Sequence, residues 1–154
     1  MNTYVDANAL VRYFLMTDGR EKIIADLCSL QAPDTFPVPV TQLLKCEVTN
    51  AIERMVFESR NGGTPRISPE MAMVAHECFR SDLAEGLSFQ LIPLTLTDIE
   101  REFDSLVRRH TATHGFRTYD IIHVASALKL KCRRFLSFDA KANSLARLAG
   151  LKTL

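Results

Sequence analysis

Four acidic residues carry the chemical interest of this sequence. Asp6 follows the apolar dipeptide Tyr4-Val5, and Asp139 follows Phe135-Leu136-Ser137-Phe138. Each opens a stretch with helical patterning, so each can be explained as a helix cap, where backbone N–H groups stabilise an acid. Glu47 and Asp120 are harder to explain. Glu47 falls among Leu43, Leu44, Val48 and Ala51, and Asp120 begins the almost wholly apolar run Asp120-Ile121-Ile122-His123-Val124-Ala125-Ser126-Ala127. Carboxylates seldom occupy apolar surroundings unless they are paired or metal-bound. Glu100, Glu102 and Asp104, by contrast, sit among Arg101, Arg108 and Arg109 and read as an exposed, salt-bridged face.

Four carboxylates meeting in one pocket would repel one another and, unless protonated, would need a cation. Hard oxygen donors select magnesium, with manganese as a substitute. Such an ion polarises a phosphate, lowers the pKa of bound water and stabilises a leaving oxygen. Nothing in the spacing alone makes the four converge. Asp120-x-x-His123 has the i, i+3 spacing of a carboxylate–histidine metal pair. A di-iron bundle would need a second such pair and two further helix glutamates, and no convincing second pair is present. His123 is therefore read as packing beside the site or hydrogen-bonding within the core. Asp6 and Asp139 alone would also suit a phosphoryl-accepting receiver domain, but the paired acid and the lysine that chemistry requires are not clear. Tyr4, Tyr13 and Tyr119 are too few and scattered for a base-stacking platform.

The elements that must position these residues alternate. Met1 to Val5 reads as a first strand, Ala7 to Leu15 as a helix, and Arg20 to Leu30 as a second helix with Ile23, Ile24, Leu27 and Leu30 at helical spacing. A break is expected at Ala32-Pro33-Asp34. Phe36 to Val40 is a second strand, expected to be short, irregular or at an edge because Pro37 and Pro39 cannot donate to a ladder. Thr41 caps a helix running to about Ser59. After the loop Arg60-Asn61-Gly62-Gly63-Thr64-Pro65, Ser68-Pro69-Glu70 starts a helix that reaches about Glu85. Phe89 to Leu94 is extended, and Thr97 is expected to cap a helix ending near Gly115. Tyr119 to Leu130 is helical, Arg134 to Phe138 a short strand, Ala140 to Ala149 helical, and Leu151 to Leu154 a last strand. This order predicts an α/β sandwich with a mainly parallel sheet. Sites in such sheets gather beyond the carboxyl ends of strands, where Asp6 and Asp139 both fall.

A chain of 154 residues suits a single domain spanning 1–154, large enough to fold without a disulfide or structural metal. Hydrophobic residues at 47% and charged residues at 24% exclude disordered and fibrous classes. Cys28, Cys46, Cys78 and Cys132 include no C-x-x-C pair, so a zinc site is not expected and buried thiols in a reducing cytoplasm are. No charged start precedes a long apolar run and no stretch approaches the ~20 residues of a membrane span, so neither a signal peptide nor membrane association is expected. Net charge is +1, yet residues 101–154 carry 11 Lys/Arg against 4 Asp/Glu, an excess that can steer a polyanion or simply solvate a helical surface.

The ordered motifs resemble the PIN-domain family, and most closely the toxin ribonucleases of VapBC-type toxin–antitoxin pairs. Tyr4-Val5-Asp6-Ala7-Asn8-Ala9-Leu10 is similar to the family's first motif, and Thr41-Gln42-Leu43-Leu44-Lys45-Cys46-Glu47-Val48-Thr49-Asn50-Ala51 to its second. Arg117-Thr118-Tyr119-Asp120-Ile121-Ile122-His123-Val124-Ala125-Ser126-Ala127 resembles the third, and Leu136-Ser137-Phe138-Asp139, leading to Gly150-Leu151, the fourth. The resemblance implies a PIN-like α/β/α sandwich, its short, mainly parallel central sheet flanked by helices, and a metal-dependent endoribonuclease that binds an RNA substrate, is often a homodimer, and is inhibited by a cognate antitoxin protein covering the acidic pocket. It implies that Asp6, Glu47, Asp120 and Asp139 hold one or two Mg2+ ions, and that cleavage by a metal-activated water leaves a 5′-phosphate and a 3′-hydroxyl. Ser137 would touch metal-bound water or phosphate, or be a plain strand residue. Arg117 would contact phosphate or balance Asp120. Asn8 stands where many relatives carry Ser or Thr, and its amide can still bond a ligand carboxylate. The alternative reading is a PIN scaffold that binds RNA or protein without cutting.

Overall fold

The structure, a computed structural model, describes residues 2–29 and 36–153. The break at Ala32-Pro33-Asp34, the helix end at Leu30, the strand ends at Met1 and Leu154, and the Cys28 side chain lie outside what is described. Strand β1 (Thr3–Val5) leads into α1 (Ala7–Phe14) and α2 (Arg20–Ser29). Then come β2 (Val38–Thr41), α3 (Gln42–Arg60), α4 (Pro69–Glu85) and β3 (Phe89–Ile92). The second half runs through α5 (Glu100–Leu106), α6 (Ala112–His114), α7 (Thr118–Lys129), β4 (Arg134–Leu136), α8 (Ala140–Leu148) and β5 (Lys152–Thr153).

The fold is the expected α/β arrangement, with short parallel strands flanked by helices. Its sheet is carried by two hydrogen-bonded ladders, β1-β4-β5 and β2-β3, with every described pair parallel. β1 lies against β2 without a ladder, and the prolines explain why. Val38 donates its N–H to the Ser88 carbonyl at 2.9 Å, toward β3. Alternate N–H groups of a strand point to opposite edges, so Pro37 and Pro39 fall on the edge facing away from β3 and leave it without donors at those positions.

Local signals set most helix boundaries. Thr41 accepts the Leu44 N–H, Ser68 accepts the Met71 N–H ahead of Pro69, and Gly115 ends its helix at φ 64°. The helix expected from Thr97 starts differently. Asp98 accepts the Thr95 N–H at 2.8 Å while Thr95 Oγ1 accepts the Asp98 N–H at 3.3 Å, a reciprocal cap centred two residues earlier. A 3₁₀ turn (Thr97–Ile99) follows, and a π-helical turn (Val107–Thr111) separates α5 from α6. Arg101–Glu102 and Arg108–Asp104 form the expected ion-paired face. The thiols divide: Cys132 is buried, but Cys46 and Cys78 are exposed, because each falls on the outward side of its amphipathic helix. No described helix is long and apolar enough to cross a membrane.

The core is one cluster that includes Tyr4, Val5, Leu10, Val38, Val40, Leu44, Ile52, Phe89, Phe135, Leu136 and Leu145. Phe135 is 1% exposed and stacks on Tyr4 with ring centroids 5.8 Å apart. Phe135→Ala is expected to cost about 3–5 kcal/mol, measured as a loss of urea stability. A change below about 1 kcal/mol would show that the core closes over the deletion.

Candidate active site

The parallel register places the acids. Val5 pairs with Leu136, so β1 and β4 end level with each other, and the Asp6 N–H carries the ladder one step further to the Leu136 carbonyl at 3.0 Å. Asp6 and Asp139 therefore leave the sheet at the same end. Glu47 arrives on α3, whose cap Thr41 is the last residue of β2. Asp120 arrives on the first turn of α7. All four line one cleft of about 560 Å³, together with Asn8 and Arg117.

Asp6 and Asp139 do cap helices, and capping leaves them chemically available. Asp6 Oδ1 accepts the Ala9 N–H at 3.1 Å, and Asp139 Oδ1 accepts those of Lys141 and Ala142 at 2.7 and 3.1 Å. Each carboxylate spends one oxygen on its helix. The Oδ2 of Asp6 accepts from the Asn8 amide at 3.1 Å. That amide also donates to Ser137 Oγ at 3.2 Å, while Asn8 Oδ1 accepts the Phe138 N–H at 2.9 Å. Asn8 thus ties the end of β1 to the segment after β4. Ser137 is 1% exposed and accepts the Asp139 N–H at 2.9 Å, so it stands behind the cleft and fixes Asp139 and Asn8 rather than lining the site. If Asp6 ligates a divalent cation, Asn8→Ala is expected to weaken Mn2+ binding about 10–100-fold, the usual loss when a residue supporting a metal ligand goes, measured by calorimetry. A variant binding Mn2+ as the wild type does would reduce Asn8 to a structural clamp.

Electrostatics set Asp6 and Asp120 apart from ordinary surface carboxylates. Asp6 is 5% exposed, and burial, helped by the negative charge of Glu47, pushes its pKa up to about 6. Burial also raises Asp120, and the neighbouring Asp139 charge raises it further, against the lowering pull of the Arg117 backbone N–H and side chain. That N–H donates to Asp120 Oδ2 at 3.3 Å, so Arg117 both helps hold Asp120 and lines the cleft. The two couplings, Asp6 with Glu47 and Asp120 with Asp139, show like charges placed where they interact.

Several cleft residues were not singled out from the sequence as site candidates. Asn50 and Arg54 follow Glu47 by three and seven positions, and Leu43 precedes it by four. That is one face of α3, a signal present in the spacing. Tyr119, 56% exposed, offers a single aromatic face beside Asp120. His123 also reaches the cleft, and its Nε2 lies 2.5 Å from Oε2 of Glu47. The helical i, i+3 relation to Asp120 pointed at this residue, but its contact is with the acid of another helix.

The donor set suits a hard divalent cation: oxygen ligands only, one of them buried with its charged form penalised. Among the described residues no three His, Cys, Asp or Glu side chains already stand grouped around one point. Loading would have to draw the carboxylates inward, against a repulsion that the cation itself removes. No protein-family model matches the chain, and no curated protein matches its sequence.

Proposed function

We propose that the protein is a divalent-metal-dependent endoribonuclease of the PIN type, the toxin of a toxin–antitoxin pair. The observation that carries the reading is that Asp6, Glu47, Asp120 and Asp139, drawn from four separate elements, line one cleft. They would hold Mg2+, or Mn2+ in its place, which when bound supplies Lewis-acid polarisation of a phosphate and a bound water more acidic than bulk water. The chain's own residues supply binding and orientation. Arg54 and Arg117 flank the acids and offer guanidinium forks to the phosphates of a bound strand. Asn8 and Ser137 hold Asp6 and Asp139 in place. The excess of Lys and Arg over residues 101–154 supplies long-range attraction for a polyanion.

Purified protein incubated with a panel of tRNAs and structured RNAs is expected to cut at least one of them with Mg2+ and none in EDTA, leaving a 5′-phosphate. No cleavage of any RNA, together with an Asp6→Asn chain no less toxic to cells than the wild type, would overturn the reading. A cognate antitoxin protein and a homodimer belong to the same proposal. Co-purification with the product of the neighbouring gene tests the first, and light scattering the second.

The alternative reading is a scaffold that binds RNA or protein without cutting. Calorimetry separates the two, because a pure binder should not lose metal affinity in Glu47→Gln.

A further inference from the structure

Tyr4 is the largest of the wholly buried side chains, and the proposed chemistry does not use it. Its ring is fixed by the stack on Phe135, whose plane lies within 3° of its own. Its hydroxyl is 2.9 Å from Nδ1 of His123, with the hydroxyls of Thr41 and Ser126 close by. On the other side of the imidazole, Nε2 meets Oε2 of Glu47 at 2.5 Å. His123 is 5% exposed, whereas the Glu47 side chain is 33% exposed. A buried line therefore runs from β1 through α7 to α3 and surfaces at one carboxylate oxygen.

The donor at the Glu47 end of this line is fixed. An ionised carboxylate only accepts, so Nε2 carries a proton and donates to Glu47. At the other end the Tyr4 hydroxyl, which can donate or accept, pairs with Nδ1. Burial, which pushes the Tyr4 pKa up, keeps the phenol protonated. Each polar atom of this buried line has its partner, which is what a buried network requires to be rigid.

We infer that His123, aimed by Tyr4, is a positioning residue for Glu47: it holds Oε2 and leaves Oε1 available to a cation. The role in cation binding rests on the metal-dependent reading above. A glutamate has three side-chain torsions to restrain, and α3 and α7 bring Glu47 and Asp120 to the cleft independently. His123 lies one turn beyond Asp120, so its bond to Glu47 also sets one acid relative to the other.

Mn2+ titration of the whole protein by calorimetry tests the inference. His123→Ala is expected to weaken Mn2+ binding at least about tenfold. Tyr4→Phe, which keeps the ring, should weaken it several-fold, and His123→Gln, which retains an N–H for Glu47, should recover part of the loss. Wild-type affinity in a folded His123→Ala would overturn the inference. If that variant does not fold, unchanged affinity in Tyr4→Phe does the same. A second readout needs no metal. The imidazole 15N spectrum of the metal-free protein should show a proton on Nε2 of His123, and Glu47→Gln should shift its Nε2 resonance. An Nε2 without a proton, or no response to Glu47→Gln, would overturn the brace. Absence of Mn2+ binding by the wild type would instead overturn the nuclease reading, with the nitrogen spectrum still deciding the brace.

Discussion

Asp6→Asn is expected to stabilise the metal-free protein while removing the RNA cleavage proposed for it. Asp6 is 5% exposed, and burial raises its pKa from 3.8 to about 6. A raised pKa means that the native state holds the proton more tightly than the unfolded chain does. Between about pH 4 and pH 6 the native state binds more protons, so stability falls as pH rises through that window and stays low above it. The shift corresponds to on the order of 3 kcal/mol. Asparagine caps a helix as well as aspartate does, so the bond to Ala9 survives, while the bond from the Asn8 amide to Oδ2 is lost and offsets part of the gain. Urea unfolding at pH 7 in EDTA should find the variant more stable by roughly 1–3 kcal/mol, with the difference vanishing near pH 4. Its cleavage rate should fall at least about a thousandfold, some 4 kcal/mol of lost transition-state stabilisation. A variant less stable than the wild type at pH 7 would show that the charge of Asp6 is not penalised by the fold.

Magnesium is expected to stabilise the wild type far more than variants that lack one of the four acids. The cleft sets Asp6 against Glu47 and Asp120 against Asp139, and a cation relieves both repulsions. A ligand that binds only the native state at a hundred times its Kd adds about 2.7 kcal/mol. For a domain of this size that is a rise in Tm of roughly 5–11 °C. Asp139→Asn and Glu47→Gln should lose most of the rise, because each removes a charge that the cation would balance. An equal rise in all three proteins would place the ion elsewhere.

The sequence made these acids legible in unequal measure. Asp6 and Asp139 were findable because a strand end is a local pattern, and parallel pairing of β1 with β4 then fixes their relation. Caps at Thr41, Ser68 and Gly115 were local too. Thr97 misled because Thr95 and Asp98 offered a competing reciprocal cap two residues away. Division of the strands into two ladders depended on which edge of β2 carried the prolines, and spacing does not state an edge. Asn50 and Arg54 were readable from Glu47 by helical spacing alone. The links from His123 to Tyr4 and Glu47 span 119 and 76 residues, so only the packed fold joins them. Ser137 was a candidate for direct contact with phosphate, and its burial behind Asn8 and Asp139 shows how a residue beside a site can be turned from it.

The claim beneath all of this is that four carboxylates form one divalent-cation site. Anomalous scattering from crystals soaked in Mn2+ tests it most directly. The account predicts a peak inside the cleft within ligand distance of at least two of Asp6, Glu47, Asp120 and Asp139, lost in crystals of Asp120→Asn. A cleft without a peak, or manganese bound only on other surfaces, would contradict it.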